Sequence, residues 1–355
     1  MHRDPLLNQI GENVDRLVSI DVLSYGVIGP LYEGARRLQQ QGPLCLRAAE
    51  LLCERVTPGA TVVMLTGLIL PGHHPYGETD GPLGAAVLAR AIALGLSARV
   101  VIAVEPELVG LMRALLRTAE LQVVDSDLLR NENGRHRPVA SVVVLSRDPT
   151  EARAQAAGWI DEYGAAALIA IEKAGANSSG VYHMVGGTDI SAGTSKGQPA
   201  FEEARRRGVL LIGVGDRGNE LGLGPIAEVT RALLPFGTDC GCPCHGGVAD
   251  QTPSDLAVPA VVSNWGAYGI ATCLAAIREN PLLLHSPDRE HALLATAVRE
   301  GGVDGMSGRA IPAADGIGAD VNAAVVAMLA EIYRAQSARD PSPFSTPLIR
   351  RRATT

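Results

Sequence analysis

The sequence predicts an α/β fold: a mostly parallel sheet with helices on both faces, preceded by a helical N-terminal segment. Three observations predict it. Short apolar runs recur at 61–66, 99–104, 140–145, 167–171 and 209–214, the near-continuous hydrophobic composition of strands buried on both faces. Helical patterns at 83–94, 106–118, 150–163 and 201–207 separate most of them, and such alternation favours parallel pairing through crossovers. Glycine-rich polar stretches follow several of the runs, which is where open α/β sheets collect their ligands.

Taken in order, residues 6–23, 28–41 and 44–55 carry helical periodicity before the first strand. They set a helical segment at 1–58 and an α/β domain at 59–337, long enough to form two lobes. The 83–94 helix has Pro82 near its first turn, where a missing N–H is tolerated. A short strand is expected at 121–124, and residues 131–135, Asn-Glu-Asn-Gly-Arg, have turn chemistry. Residues 251–337 read as helix-rich, interrupted by a glycine-containing loop at 303–309. Residues 338–355 read as a mobile tail.

Composition bounds the function. Of 355 residues, 46% are hydrophobic and 19% charged, an ordinary balance for a soluble chain with ample core. Aromatics make up only 3%, so Ala, Val, Leu and Ile must fill that core. A net charge of −7 offers no basic footprint for nucleic acid or an anionic membrane. No apolar run approaches the roughly 18 residues of a membrane span. The first residues lack the apolar block of a secretory leader and the Arg-rich look of a transit peptide. Six cysteines, three of them within 240–244, do not form a secreted disulfide framework. A cytoplasmic location is the expectation. Only two of the 31 basic residues are lysines, Lys173 and Lys196. Both lie among the glycine-rich motifs, and lysine can be tuned by burial in a way arginine cannot.

The most informative segment is 213–220, Gly-Val-Gly-Asp-Arg-Gly-Asn-Glu, at the end of a strand. It contains a G-x-G-x-x-G spacing, with Asp239 at about the offset of a ribose-binding acid. A dinucleotide loop should open into a helix, whereas Gly222, Gly224 and Pro225 make poor helix here. No nucleotide cofactor is expected. Asp216, Asn219 and Glu220 instead read as oxygen ligands for a hard cation, or as acid and base. A second polar loop holds Glu172, Lys173 and Asn177, a third holds Asp189 and Ser191, and Glu78 and Asp80 follow the first strand.

Cys240, Cys242, Cys244 and His245 invite a zinc reading, but four ligands crowded into six positions strain tetrahedral closure by this segment alone. His73 and His74 could supply a ligand or a base, or simply stay solvated. No G-x-S-x-G elbow anchors a hydrolase triad.

Together these motifs resemble the family that contains the catalytic C-terminal domain of D-glutamate cyclase. The resemblance rests on residues 78–82 (Glu-Thr-Asp-Gly-Pro), on Glu172-x-x-Gly175-x-Asn177 with Gly180 and Tyr182, and on Gly187-x-Asp189-Ile190-Ser191. It also rests on residues 213–220 and on 262–266 (Val-Ser-Asn-Trp-Gly), and it spans about 60–310. Arg217 stands where that pattern would carry a small residue. The resemblance implies a hydro-lyase that converts D-glutamate to 5-oxo-D-proline and water, either cofactor-independent or assisted by Mn²⁺.

That chemistry needs a base for the ammonium, a polarised distal carboxyl and an anchor for the remaining carboxylate. Glu172, Lys173, Asp216 and Glu220 are the catalytic candidates. Asp216 and Glu220 are also the candidate ligands of Mn²⁺ or Mg²⁺. Asp80, Asn177, Asp189, Ser191, Arg217, Asn219, Asn264 and Arg309 are the substrate-binding candidates. The expected partner is a small amino acid, with no nucleic acid or membrane, and a homodimer is open. Two other readings stand beside this one: a Mg²⁺-dependent transferase on a phosphorylated small molecule, and a non-catalytic binding module.

Overall fold

The computed structural model describes residues 4–70, 72–131 and 137–337. Most of the 131–135 turn, and the tail at 338–355, lie outside the described residues. Seven strands form one parallel sheet: β1 (Thr61–Thr66), β2 (Arg99–Val104), β3 (Gln122–Val123), β4 (Val139–Val144), β5 (Ala165–Ile171), β6 (Leu210–Gly215) and β7 (Leu256–Pro259). Their spatial order is β3-β4-β2-β1-β5-β6-β7.

Strand alternation divides the core in two. Val62, Met64, Val100, Ile102, Ala167, Ile169, Leu210 and Ile212 face the larger helical layer. Val63, Leu65, Val101, Ala103, Leu168, Ala170 and Leu211 face the smaller one. A period of two over β-branched and aliphatic residues, apolar on both faces, is what a doubly covered parallel sheet requires.

The smaller layer is α6 (Ser126–Asn131), α7 (Pro149–Tyr163) and α8 (Gly197–Arg206). The start of α7 is locally encoded: Asp148 accepts from the N–H groups of Thr150 and Glu151, each at 2.9 Å, and Pro149 opens the helix. The larger layer contains α4 (Pro82–Leu96), α5 (Val109–Thr118), α10 (Ser263–Ile277), α11 (Pro287–Arg299) and α12 (Ala319–Ser337). In α4 and α10 apolar residues fill almost every face and nearly all are buried, so these two helices pack at the centre of that layer.

The N-terminal helices α1 (Pro5–Val18), α2 (Ile28–Gln39) and α3 (Leu44–Arg55) join the same core as the sheet. Asp15 of α1, 1% exposed, accepts from the first N–H groups of α3, Leu44 and Cys45, and from the Tyr32 hydroxyl. Elements that were not predicted include α6, β7, α9 (Ala227–Leu233) and a hairpin of β8 (Ala313–Ala314) and β9 (Ile317–Gly318). Strand β7 is four residues long and ends on Pro259, too short and too proline-marked to stand out in a helix-rich stretch. Among the described residues, no helix is long and apolar enough to cross a membrane.

Candidate active site

Strand β1 has β2 on one side and β5 on the other, so the chain winds away from it in both directions. At such a switch point the loops beyond the strand ends part and leave a crevice. The loops after β1, β5 and β6 meet there.

Glu172 follows β5, and Asp216 and Glu220 follow β6. One carboxylate oxygen from each lies within 4.8 Å of the others. Glu172 takes φ +44, which turns its side chain off the strand axis; its Oε2 accepts from the Ser263 hydroxyl at 2.6 Å. Glu220 folds back on its own loop, accepting from Gly218 N–H at 2.7 Å and Arg217 N–H at 3.2 Å. Arg217 Nη2 lies 3.2 Å from Asp216 and 3.3 Å from Asp315, which sits at φ +52 between β8 and β9. A small cleft is lined by Asp21, Tyr25, Val27, Ile28 and Val261 together with Asp216 and Arg217. A larger groove, lined by Pro30, Leu38 and Val229, carries no comparable convergence of chemistry, so the site is placed by its chemistry and not by size.

Two helix N-termini point into this crevice and tie each other down. Asp80 accepts from the N–H groups of Ser263 and Asn264, at 3.0 and 2.8 Å, at the start of α10. Asn264 in turn accepts, through Oδ1, from Gly81 N–H at 3.0 Å and Gly84 N–H at 2.6 Å at the start of α4. Each residue thus caps the other's helix.

Burial sets the electrostatics. Asp80 is pushed up to about 7 by burial and the nearby Asp315 charge, despite its backbone N–H partners. Burial also raises Asp216 to about 8; Arg217 opposes the rise and Glu220 adds to it. Burial first, then carboxylate neighbours, hold Glu172, Glu78 and Asp315 well above the usual range, and burial raises Glu220. Arg217 is held firmly protonated, chiefly by Asp216. Six acids share one guanidinium, so the cluster is short of positive charge.

A hard divalent ion fits that deficit. Asp216 Oδ1 and Glu78 Oε1 are buried without a hydrogen-bond partner, and an all-oxygen donor set of Glu172, Asp216 and Glu220 suits Mg²⁺ or Mn²⁺.

The other predicted residues fall in different places. Lys173 does not join the acids: its ammonium is fully buried against Glu105 and the Gly67 carbonyl. Asn177 organises its own loop, accepting from Ser179 and Val181 N–H and donating to the Gly247 carbonyl at 2.7 Å. Asn219 donates to the His183 carbonyl at 3.2 Å, and its Oδ1 is buried without a partner. Asp189 is exposed and accepts from Ser191 N–H, while Ser191 Oγ accepts from Tyr182 N–H. Arg309 is exposed on the loop whose Val303 pairs with Glu78. His74 is buried, not solvated, and burial lowers it to about 4.

Glycines in the β6 loop serve internal packing. A Cβ at Gly213 would lie 2.6 Å from the Gly222 carbonyl carbon, so the loop folds back on its own strand. Gly218 takes φ +94 hard against Thr230. After β6 comes a turn and a short 3₁₀ segment, Gly224–Ile226, before α9.

The cysteine segment closes differently from expectation. Cys240, Cys242 and Cys244 converge, but the fourth neighbour is His183 from the loop after β5. His245 instead turns outward and pairs with Asp239 at 3.1 Å. The four residues form a candidate metal-binding cluster. Sequence reasoning missed His183 as a partner, and it missed Asp315. The signal for His183 was the need of three close thiols for a fourth donor. Asp315 carried only an Asp-Gly turn signature.

The comparisons with known proteins bear on the same residues. The sequence profile of the family described as "D-glutamate cyclase-like, C-terminal" matches residues 30–330, a span that includes every acid of the cluster. The human protein "D-glutamate cyclase, mitochondrial" is 31% identical over 206 residues, which cover 57% of this chain and 30% of that relative. The chain therefore spans well under half of the curated relative it matches. It belongs to the D-glutamate cyclase-like C-terminal family.

Proposed function

We propose that this chain is a hydro-lyase that closes D-glutamate, or a close acidic relative, to 5-oxo-D-proline with release of water. The observation that carries the reading is the charge-deficient cluster of Glu172, Asp216 and Glu220 beside Arg217, at the switch point of a D-glutamate cyclase-like domain.

The substrate brings an ammonium to a site that lacks positive charge. Its nitrogen must lose one proton before it can attack the distal carboxyl carbon. A buried carboxylate near neutrality, such as Asp216 at about 8, is matched to take it. A C–N bond then forms and one C–O bond breaks. The departing oxygen leaves as water, carrying two protons that the nitrogen has given up in all. Carboxyl oxygens as close as those of Glu172, Asp216 and Glu220 can relay them. Arg217 supplies positive charge beside the developing oxyanion. A Mn²⁺ or Mg²⁺ ion held by Glu172, Asp216 and Glu220 would supply Lewis acidity toward that oxygen.

The test is incubation with D- and L-glutamate and chiral analysis of the product, with Mn²⁺ and with chelator. Appearance of 5-oxo-D-proline from the D-isomer is expected. Product that persists under chelation retires the ion and keeps the lyase. Tight binding of D-glutamate with no product overturns the lyase in favour of a binding module.

A further inference from the structure

We infer that His183, Cys240, Cys242 and Cys244 form a closed zinc site that ties the loop after β5 to the segment at 240–248. The site lies apart from the carboxylate cluster and does not depend on the proposed activity.

The four donor atoms converge. Cys240 Sγ lies 3.2 Å from Cys242 Sγ and 3.4 Å from Cys244 Sγ, and Cys242 and Cys244 are 3.4 Å apart. His183 Nε2 is 3.3 Å from Cys242 Sγ and 3.7 Å from Cys244 Sγ. With Zn–S bonds near 2.3 Å and tetrahedral angles, neighbouring sulfurs sit ~3.8 Å apart. The thiols are thus within about half an ångström of the edges of that tetrahedron. They are not disulfide-bonded, and any one pairing would leave the third sulfur over.

An extended C-x-C-x-C segment could not do this, because alternate residues along a strand stand more than about 6 Å apart. Here the chain coils. Gly241 takes φ +73 and His245 φ +48, with Pro243 between them, and the three sulfurs end on one side. Gly187, at φ +88, lets the His183 loop pack on the Cys240 carbonyl, which a side chain there would strike.

The surroundings treat the sulfurs as acceptors. Asn177 Nδ2 and Gly246 N–H each point at Cys244 Sγ at 3.4 Å, and Cys244 N–H points at Cys242 Sγ at 3.5 Å. N–H groups directed at sulfur are the outer partners that hold thiolate ligands in place. His183 is 1% exposed and Cys240 4%. Three thiolates and one imidazole in tetrahedral array select zinc over hard cations. Four protein ligands leave no open position, so the ion's role is structural.

Its mechanical consequence reaches the acids. Asn219, next to Glu220, donates to the His183 carbonyl, and Gly175 N–H donates to the Asn219 carbonyl at 2.8 Å. Zinc at His183 therefore pins the loop after β5 and, through Asn219, the loop after β6.

The full chain, purified without chelator, is expected to carry near one zinc per molecule, released as a mercurial reagent titrates its thiols. Replacement by Co²⁺ should give thiolate-to-cobalt charge transfer in the near ultraviolet and intense tetrahedral d–d bands. Cys242→Ser should cut bound zinc to near zero, while Glu220→Gln leaves it unchanged. Zinc removal should raise amide exchange in segments 177–191 and 240–248 together. Absence of both zinc and the cobalt bands in folded wild-type chain overturns the site. So does zinc retained by a variant with all three cysteines changed to Ser. Zinc loss without faster exchange in the two segments overturns the tie between them.

Discussion

Glu172 and Lys173 are neighbours in the chain, yet they end in opposite electrostatic settings. Lys173 is sealed against Glu105 with both side chains at 0% exposure, and Glu105 also accepts from Ser195 N–H at 3.1 Å. There one ammonium meets one carboxylate, so the charges match, although Glu105 Oε2 is also buried without a hydrogen-bond partner. Glu172 turns the other way, into a cluster where acids outnumber the single guanidinium and two oxygens lack any partner. Internal compensation marks structure; a deficit marks a place that needs something from outside, whether a proton, a metal ion or a substrate amine. The thiol cluster is a third setting, where soft donors take the place of carboxylates.

The comparison breaks first at Glu172. Glu172→Gln should lower turnover by about 10²- to 10⁴-fold. The fold should stay intact, and the melting temperature of ion-free protein should rise, because a group costly to bury has gone. A variant that melts lower and turns over normally would place Glu172 with the structural residues.

Lys173→Met tests the opposite member. Glu105 would be left without its partner in the interior, at a cost of about 3–5 kcal/mol. Denaturant unfolding measures it. Lys173→Met combined with Glu105→Gln should recover much of that loss, and activity per folded molecule should follow stability. Selective loss of activity in a fully stable Lys173→Met would return this lysine to the chemistry.

The pH dependence of stability follows from the same deficit. Asp80 and Asp216 have folded values of about 7 and about 8, against an ordinary 3.8. Between those limits the native state holds protons that the unfolded state has released, so stability falls as pH rises from about 4 to 8. Each tenfold difference in proton affinity between the two states is worth about 1.4 kcal/mol. The chelated protein should therefore lose stability steadily over that window. Added Mn²⁺ should restore more at pH 8 than at pH 5. A flat profile by thermal melting would mean that the acids are compensated after all.

Much of this was legible in the sequence because it rests on local rules. The parallel sheet followed from two-sided apolar strands, and the acidic loops from their position at strand ends. Less legible was what required distant partners. The sequence put Lys173 with the acids because a strand end cannot reveal that residues 172 and 173 turn apart. It marked 213–224 as a glycine-rich loop at a strand end but could not show that Gly213 and Gly222 pack on each other. It judged closure by the cysteine segment alone to be strained but could not name the outside donor, His183, which comes from the loop after β5. Asn264 was expected to touch substrate, and its amide is instead spent on backbone groups at the start of α4.

That last residue gives the smallest and most discriminating prediction. Asn264 Oδ1 accepts from two buried N–H groups, and its Nδ2 donates to the Thr79 carbonyl at 3.0 Å. Asn264→Ala leaves those groups unsatisfied and should cost about 1–2 kcal/mol, the usual worth of an N-cap. The cost should not vary between pH 5 and 8, because no titrating group is added. Asn264→Asp keeps the acceptor but places another carboxyl beside Asp80. At pH 5 it should cost about as much as the alanine variant or less. By pH 8 it should cost clearly more, since the new acid must ionise in a cluster already short of positive charge. If the two variants track each other across that range in denaturant unfolding, the capping hydrogen bonds govern this corner and the charge deficit does not extend to it.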